Sequence, residues 1–168
     1  DAVNVIVRRK ARASVEFGNT LLLTEQEDGI VVDWELYQDS APADSRLLQG
    51  VLARIDRIFG EDAVGLVGTD RGFDSANNRI FLDKRKIYNA VCPRDPNVLA
   101  DLMKDPRFVD AQRRRAQTEA RIGIMRNNFC GTPMLQRGYA HREQHVAFSV
   151  LAHNLWVIAR IKLRRQAT

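Results

Sequence analysis

The run Ala63-Val64-Gly65-Leu66-Val67-Gly68 is apolar without alternation and passes at once into Thr69-Asp70-Arg71-Gly72-Phe73-Asp74. A short apolar run closed by turn residues reads as a strand buried on both faces. Such strands sit in sheets covered by helices, and ligands gather beyond their carboxyl ends. Asp70 occupies that position, with Gly68 and Gly72 letting the backbone turn closely around it. Position alone also fits an ordinary polar turn residue or an N-cap.

The rest of the pattern alternates strand and helix signals. Val3 to Val7 and Val15 to Phe17 read as short extended pieces, and Thr20 to Thr24 with Ile30 to Tyr37 as a hairpin turning at Gly29. Leu47, Leu48, Val51, Leu52, Ile55, Ile58 and Phe59 form one helical stripe that Gly60 ends. After the strand at 63–67, a helix is expected from Ser75 to Lys84, a strand from Ile87 to Val91 and a short helix from Val98 to Met103. A long helix follows from Phe108 to Met125. Gly131 and Pro133 mark a loop before a last helix, Arg142 to Arg164, which is apolar on most sides and belongs inside a packed structure. This order predicts an α/β fold, a mixed sheet flanked by helices.

The 168 residues suit one domain with a sizeable core. The net charge of +5 favours a polyanionic partner without identifying one. Two cysteines make no disulfide framework, and reduced thiols fit a cytoplasmic protein. The apolar stretch from Val146 to Ile161 contains His153, Asn154 and Arg160 and is short for a bilayer, so no membrane partner is expected. The chain opens on Asp1, and its first strand runs into Arg8-Arg9-Lys10-Ala11-Arg12, which reads as the middle of a longer domain.

A second isolated acid, Glu119, stands in the arginine-rich stretch Arg113-Arg114-Arg115-Ala116-Gln117-Thr118-Glu119-Ala120-Arg121. At about 100° per residue, Gln112, Arg115 and Arg126 fall on its side of the helix. An acid on a partly inward face needs a cation or a metal beside it. A plain Glu–Arg helix pair also satisfies that spacing. Arg113, Arg114 and Arg121 point elsewhere, solvated or ready for phosphates. Two acids on different rigid elements of a basic chain suit two-metal chemistry on a phosphate backbone, with magnesium the fitting ion. Such a site wants a third acid. Asp33 is the best internal alternative, while Asp44 and Asp74 read as caps.

In order along the chain, Ser14-Val15-Glu16-Phe17-Gly18-Asn19, Ala41-Pro42-Ala43-Asp44-Ser45, Thr69-Asp70-Arg71-Gly72-Phe73, Glu119 and Ala152-His153-Asn154-Leu155 resemble the catalytic domain of DDE transposases of bacterial insertion sequences. The resemblance covers nearly the whole chain. It implies a ribonuclease-H-like fold lacking its first strand, so that residues 1–168 form a single partial catalytic domain. It assigns Asp70 and Glu119 as catalytic and metal-binding residues, with Mg2+ or Mn2+ as cofactor. The family's helix pattern of Tyr, Arg, Glu and Lys falls on Gln112, Arg115, Glu119 and Arg126, of which the Arg and the Glu match. Together with Arg113, Arg114 and Arg121 these are the expected DNA-binding residues. The partners implied are double-stranded DNA at transposon ends and target DNA, with a homo-oligomer on the DNA.

The intact parent would cleave phosphodiesters and join the 3′-hydroxyl to a target. The first catalytic aspartate should lie upstream of Arg8, and Asp1 is misplaced for it, so the isolated chain is expected to be inactive. The alternative is a non-catalytic DNA-binding or regulatory remnant of a transposase.

Other motifs read as ordinary structure. His141 and His145 lie one turn apart but lack the further ligands of a zinc site. His153 reads as a core histidine, and Trp34 and Trp156 as core or strand residues rather than base-stacking platforms.

Overall fold

The computed structural model describes residues 4–10, 13–131 and 134–166. The expectations placed on Asp1, Val3 and Pro133 fall outside these residues. Two compact units emerge, one from residues 1–41 with 122–168, the other from residues 42–121.

In the first unit, β1 (Asn4–Lys10) pairs antiparallel with β2 (Ala13–Gly18). The second hairpin joins β3 (Leu21–Glu25) to β4 (Val31–Leu36) through a turn in which Gly29 takes φ 88°. The sequence placed this hairpin correctly, because an acidic turn with a glycine separates two apolar runs. Val31 and Leu36 are buried in a core with Met125, Cys130, Val146 and Val150. The last two come from α5 (Tyr139–Gln166). This helix turns Val146, Ser149, Val150, His153 and Val157 inward, a three-and-four spacing that marks one face. Asn154 adds a strand-like contact: its Oδ1 accepts from the Val31 N–H at 2.9 Å, and its Nδ2 donates to the Val31 carbonyl at 2.8 Å. The Tyr139 hydroxyl donates to the Leu36 carbonyl at 2.6 Å. A π-helical turn, Met125–Cys130, precedes the loop into α5, and Ser149 Oγ donates to its Phe129 carbonyl at 3.0 Å.

The second unit opens with α1 (Asp44–Phe59), which buries Leu47, Leu48, Val51, Leu52 and Ile55 and ends at Gly60 with φ 92°. Ile58 and Phe59, expected on the same stripe, are exposed because the last turn runs past the core. Two-residue strands follow, β5 (Leu66–Val67) and β6 (Tyr88–Asn89), paired in parallel. Between them lie a 3-10 turn, Arg71–Phe73, and α2 (Ala76–Lys84), capped by Ser75 Oγ accepting from the Asn78 N–H. After β6 come α3 (Pro96–Leu102) and α4 (Pro106–Ile124), the last residues of which pass into the first unit. Leu48, Leu52, Val67, Leu82, Ile87 and Val91 form one core. Phe108, Ala90 and Ala111 form another, ringed by Tyr88, Leu99 and Leu102.

The mixed ribonuclease-H-like sheet is not found. Among the described residues the strands pair only two by two, in three separate sheets, and helices predominate. Two local causes are visible. The run 63–68 yields only two strand residues, and Leu66 is 38% exposed rather than buried on both faces. At Val31 the outer edge of β4 is taken by the Asn154 amide, where a neighbouring strand would have bonded. The expectation that α5 lies inside a packed structure also fails, since its apolar residues Phe148, Leu151, Leu155, Ile158 and Leu163 face outward.

Candidate functional site

Asp70 leaves β5 and caps the 3-10 turn, its Oδ1 accepting from the Gly72 N–H at 2.8 Å. Across the turn stands Asp44, the first residue of α1. It caps nothing, since the N-cap position falls to Ala43. A Cβ built on Gly72 would come within 2.2 Å of Asp44 Oδ2 and 3.0 Å of Asp70 Oδ1. The two carboxylates therefore converge on the one residue type with no side chain to obstruct them.

Three residues hold this arrangement, and two of them, Asn78 and Arg94, the sequence did not single out. Asn78 is almost fully buried, and its Nδ2 donates both to the Ser45 carbonyl at 2.9 Å and to the Phe73 carbonyl at 2.8 Å. It thereby ties the start of α1 to the end of the Asp70 turn. Arg94 Nε donates to the Arg71 carbonyl at 3.2 Å. Asp74, expected to cap α2, is buried and accepts from the Arg94 N–H at 2.9 Å and from Arg79 at 2.6 Å. A buried Asn between two loops leaves no local pattern in the sequence, so no signal could have marked it.

Burial of the carboxyl end raises the Asp44 pKa above its ordinary value, although the residue as a whole is exposed, and the Asp70 charge adds to the rise. The sign of the consequence is fixed. The unfolded chain ionises Asp44 at its ordinary pKa and the folded chain only at higher pH. The fold therefore loses a small increment of stability as pH climbs through that interval. Thermal melts from acid to neutral pH should show Asp44→Asn gaining on the native chain across this window. Superimposable pH curves would show that the two carboxylates do not interact.

On α4 a relay of side chains runs outward from Ala90, the residue after β6. Gln112 Nε2 donates to the Ala90 carbonyl at 2.6 Å, Arg115 Nε donates to Gln112 Oε1 at 3.1 Å, and Arg115 Nη1 meets Glu119 Oε1 at 2.8 Å. The three residues thus share a face, as their spacing required. Glu119 lies at its outer end with its side chain 67% exposed. A pair so placed contributes roughly a few tenths of a kcal/mol. Arg113 is exposed, while Arg114 and Arg121 are half-buried. Arg114 Nε reaches Asp110 Oδ2 at 3.2 Å. Arg126 is exposed in the π-helical turn, where the α-helical register no longer holds.

Asp33 lies on β4 opposite Thr24, in the first unit. His145 Nε2 is 2.8 Å from the Cys130 carbonyl and His141 Nδ1 is 3.0 Å from that of Arg137, so each imidazole is tied to its own loop. His153 is buried with its ring against Phe129 and Trp156.

Among the described residues, no three of His, Cys, Asp and Glu gather as metal ligands would. Asp44 and Asp70 make a pair that Glu119 does not join. Two carboxylates, one of them already bonded to Gly72, are fewer than a two-ion centre requires. Metal-dependent phosphodiester cleavage and strand transfer are therefore not supported, and neither is a transposase catalytic domain or its remnant. The motifs behind that expectation have local roles instead: Asp70 closes a turn, Glu119 pairs with Arg115, and Asn154 seals a strand edge. No protein-family model, no curated protein and no solved structure matches this chain, so the resemblance to DDE transposases rests on those short motifs alone.

Proposed function

We propose that this chain binds the phosphate backbone of duplex DNA through the arginines of α4, as a binding module without sequence readout. The supporting observation is how α4 divides its faces. Phe108 and Ala111 are buried and Gln112 is bonded to the Ala90 carbonyl just past β6, so the helix is fixed from within. Arg113, Arg114 and Arg121 lie off that buried side, on a helix carrying five arginines against two acids. A rigid rod of guanidinium groups suits phosphates, which accept fork-like donation and release counterions when neutralised. Glu119 holds Arg115 and Asp110 meets Arg114, so each acid limits what its arginine gives to DNA. The overall charge of +5 acts in the same direction.

Fluorescence anisotropy with a labelled duplex, titrated across salt concentrations, tests this. The native chain should bind with a steep salt dependence. Replacing Arg113, Arg114 and Arg121 together by Ala should flatten the slope of log K against log salt by about 0.9 per lost contact, or about 2.7 in all. Glu119→Ala should bind as well as the native chain or better. An unchanged slope in the triple variant would remove α4 from the interface.

A further inference from the structure

We infer that the outward face of α5 pairs with the same helix of a second copy of this chain, running antiparallel. Phe148, Leu151, Leu155 and Ile158 are 62%, 56%, 60% and 49% exposed. Scattered apolar side chains on a surface need no explanation, but a contiguous row does. Their spacing of three, four and three is the a/d pattern of a heptad seam. The opposite face of the helix is already committed to the core of its own unit through Val146, Ser149, Val150, His153 and Val157. Alanines 147, 152 and 159 flank the seam and are exposed, so a second helix can approach closely. No Asp, Glu, Lys or Arg occurs between Glu143 and Arg160.

Charge selects both the occupant and its direction. Arg160, Lys162, Arg164 and Arg165 crowd the carboxyl end of the helix, while Glu143 stands near the amino end. A parallel pair would bring the two cationic ends together. An antiparallel pair sets Phe148 opposite Ile158 and Leu151 opposite Leu155. Glu143 of each copy then falls beside the Lys162 turn of the other, and the helix dipoles oppose.

By length and composition α5 could cross a membrane. However, Ser149 and Asn154 on its inner side are bonded to Phe129 and Val31, and crossing would strip those bonds. A helix lying on lipid carries Lys and Arg along the borders of its apolar face. Here those borders are alanines up to residue 159.

Sedimentation equilibrium on the full chain across a wide concentration range should show a monomer–dimer equilibrium. The double change Leu151→Glu with Leu155→Glu should weaken it by about tenfold or more with the circular dichroism unchanged, since both side chains are exposed. Orientation is read by cross-linking in a Cys92→Ser background. Phe148→Cys mixed with mass-tagged Ile158→Cys should oxidise to the mixed disulfide. Homodisulfides of each alone would mean a parallel pair and overturn the assignment. So would dimers that survive the double Glu change, or a monomer at every concentration. A monomer that floats with phosphatidylserine–phosphatidylcholine vesicles would overturn it in favour of a lipid surface.

Discussion

Replacing Phe108 by Ala should destabilise the unit formed by residues 42–121 by about 3–5 kcal/mol. The ring is fully buried between Ala90 and Ala111, with Tyr88, Leu99 and Leu102 around it. These neighbours come from β6, α3 and α4, three elements whose backbones cannot all move inward to fill the space. The cost is therefore transfer of the ring plus the cavity left behind. Arg107 stacks its guanidinium over Tyr88 with 4.1 Å to the ring centroid, and Tyr88 donates to Asp105, so the rim of this cluster is pinned as well. Urea denaturation followed by circular dichroism measures the loss. Phe108→Leu should cost much less, because it keeps most of the volume. If the Ala and Leu variants unfolded at the same urea concentration, the cluster would not be a packed core.

The second large effect is expected at Asn154. Its replacement by Ala should cost about 2–4 kcal/mol, because the Val31 N–H and carbonyl lose their partners at a residue that is otherwise buried. Asn154→Asp gives a sharper test. A carboxylate still accepts from the Val31 N–H but faces the Val31 carbonyl with no proton to donate. That variant should be as damaged as the Ala form at neutral pH and recover in acid, where the protonated group donates again. Trp34 lies on β4 and packs against the same core, so its fluorescence reports the transition. Native-like melting of Asn154→Ala would mean that the edge of β4 is satisfied by other means.

What the sequence disclosed was whatever local chemistry encodes. The β3–β4 hairpin follows from Gly29, the end of α1 from Gly60 and the start of α2 from Ser75; in each case a single residue sets the backbone path. The Gln112–Arg115–Glu119 face follows from helical spacing alone. Sheet assembly was not legible, because strand pairing joins segments far apart and nothing local to 63–68 says how many strands will flank it. The pairing of Asp44 with Asp70 was hidden for the same reason, as was the Asn78 bridge that enforces it. Helix α5 misled differently. Hydrophobicity on two faces looks the same in sequence whether both faces serve one core or only one does.

The first unit is assembled from two stretches of chain separated by the whole of the second. On the ribosome, residues 42–121 emerge as one uninterrupted stretch and can collapse at once. The hairpin carrying Val31 and Leu36 emerges earlier but has to wait for Val146 and Val150 before its apolar side is covered. At ordinary rates of synthesis that delay is on the order of ten seconds. During it, the bare β4 edge lies open to any extended segment nearby, so the nascent chain is most prone to mispairing until α5 leaves the exit tunnel.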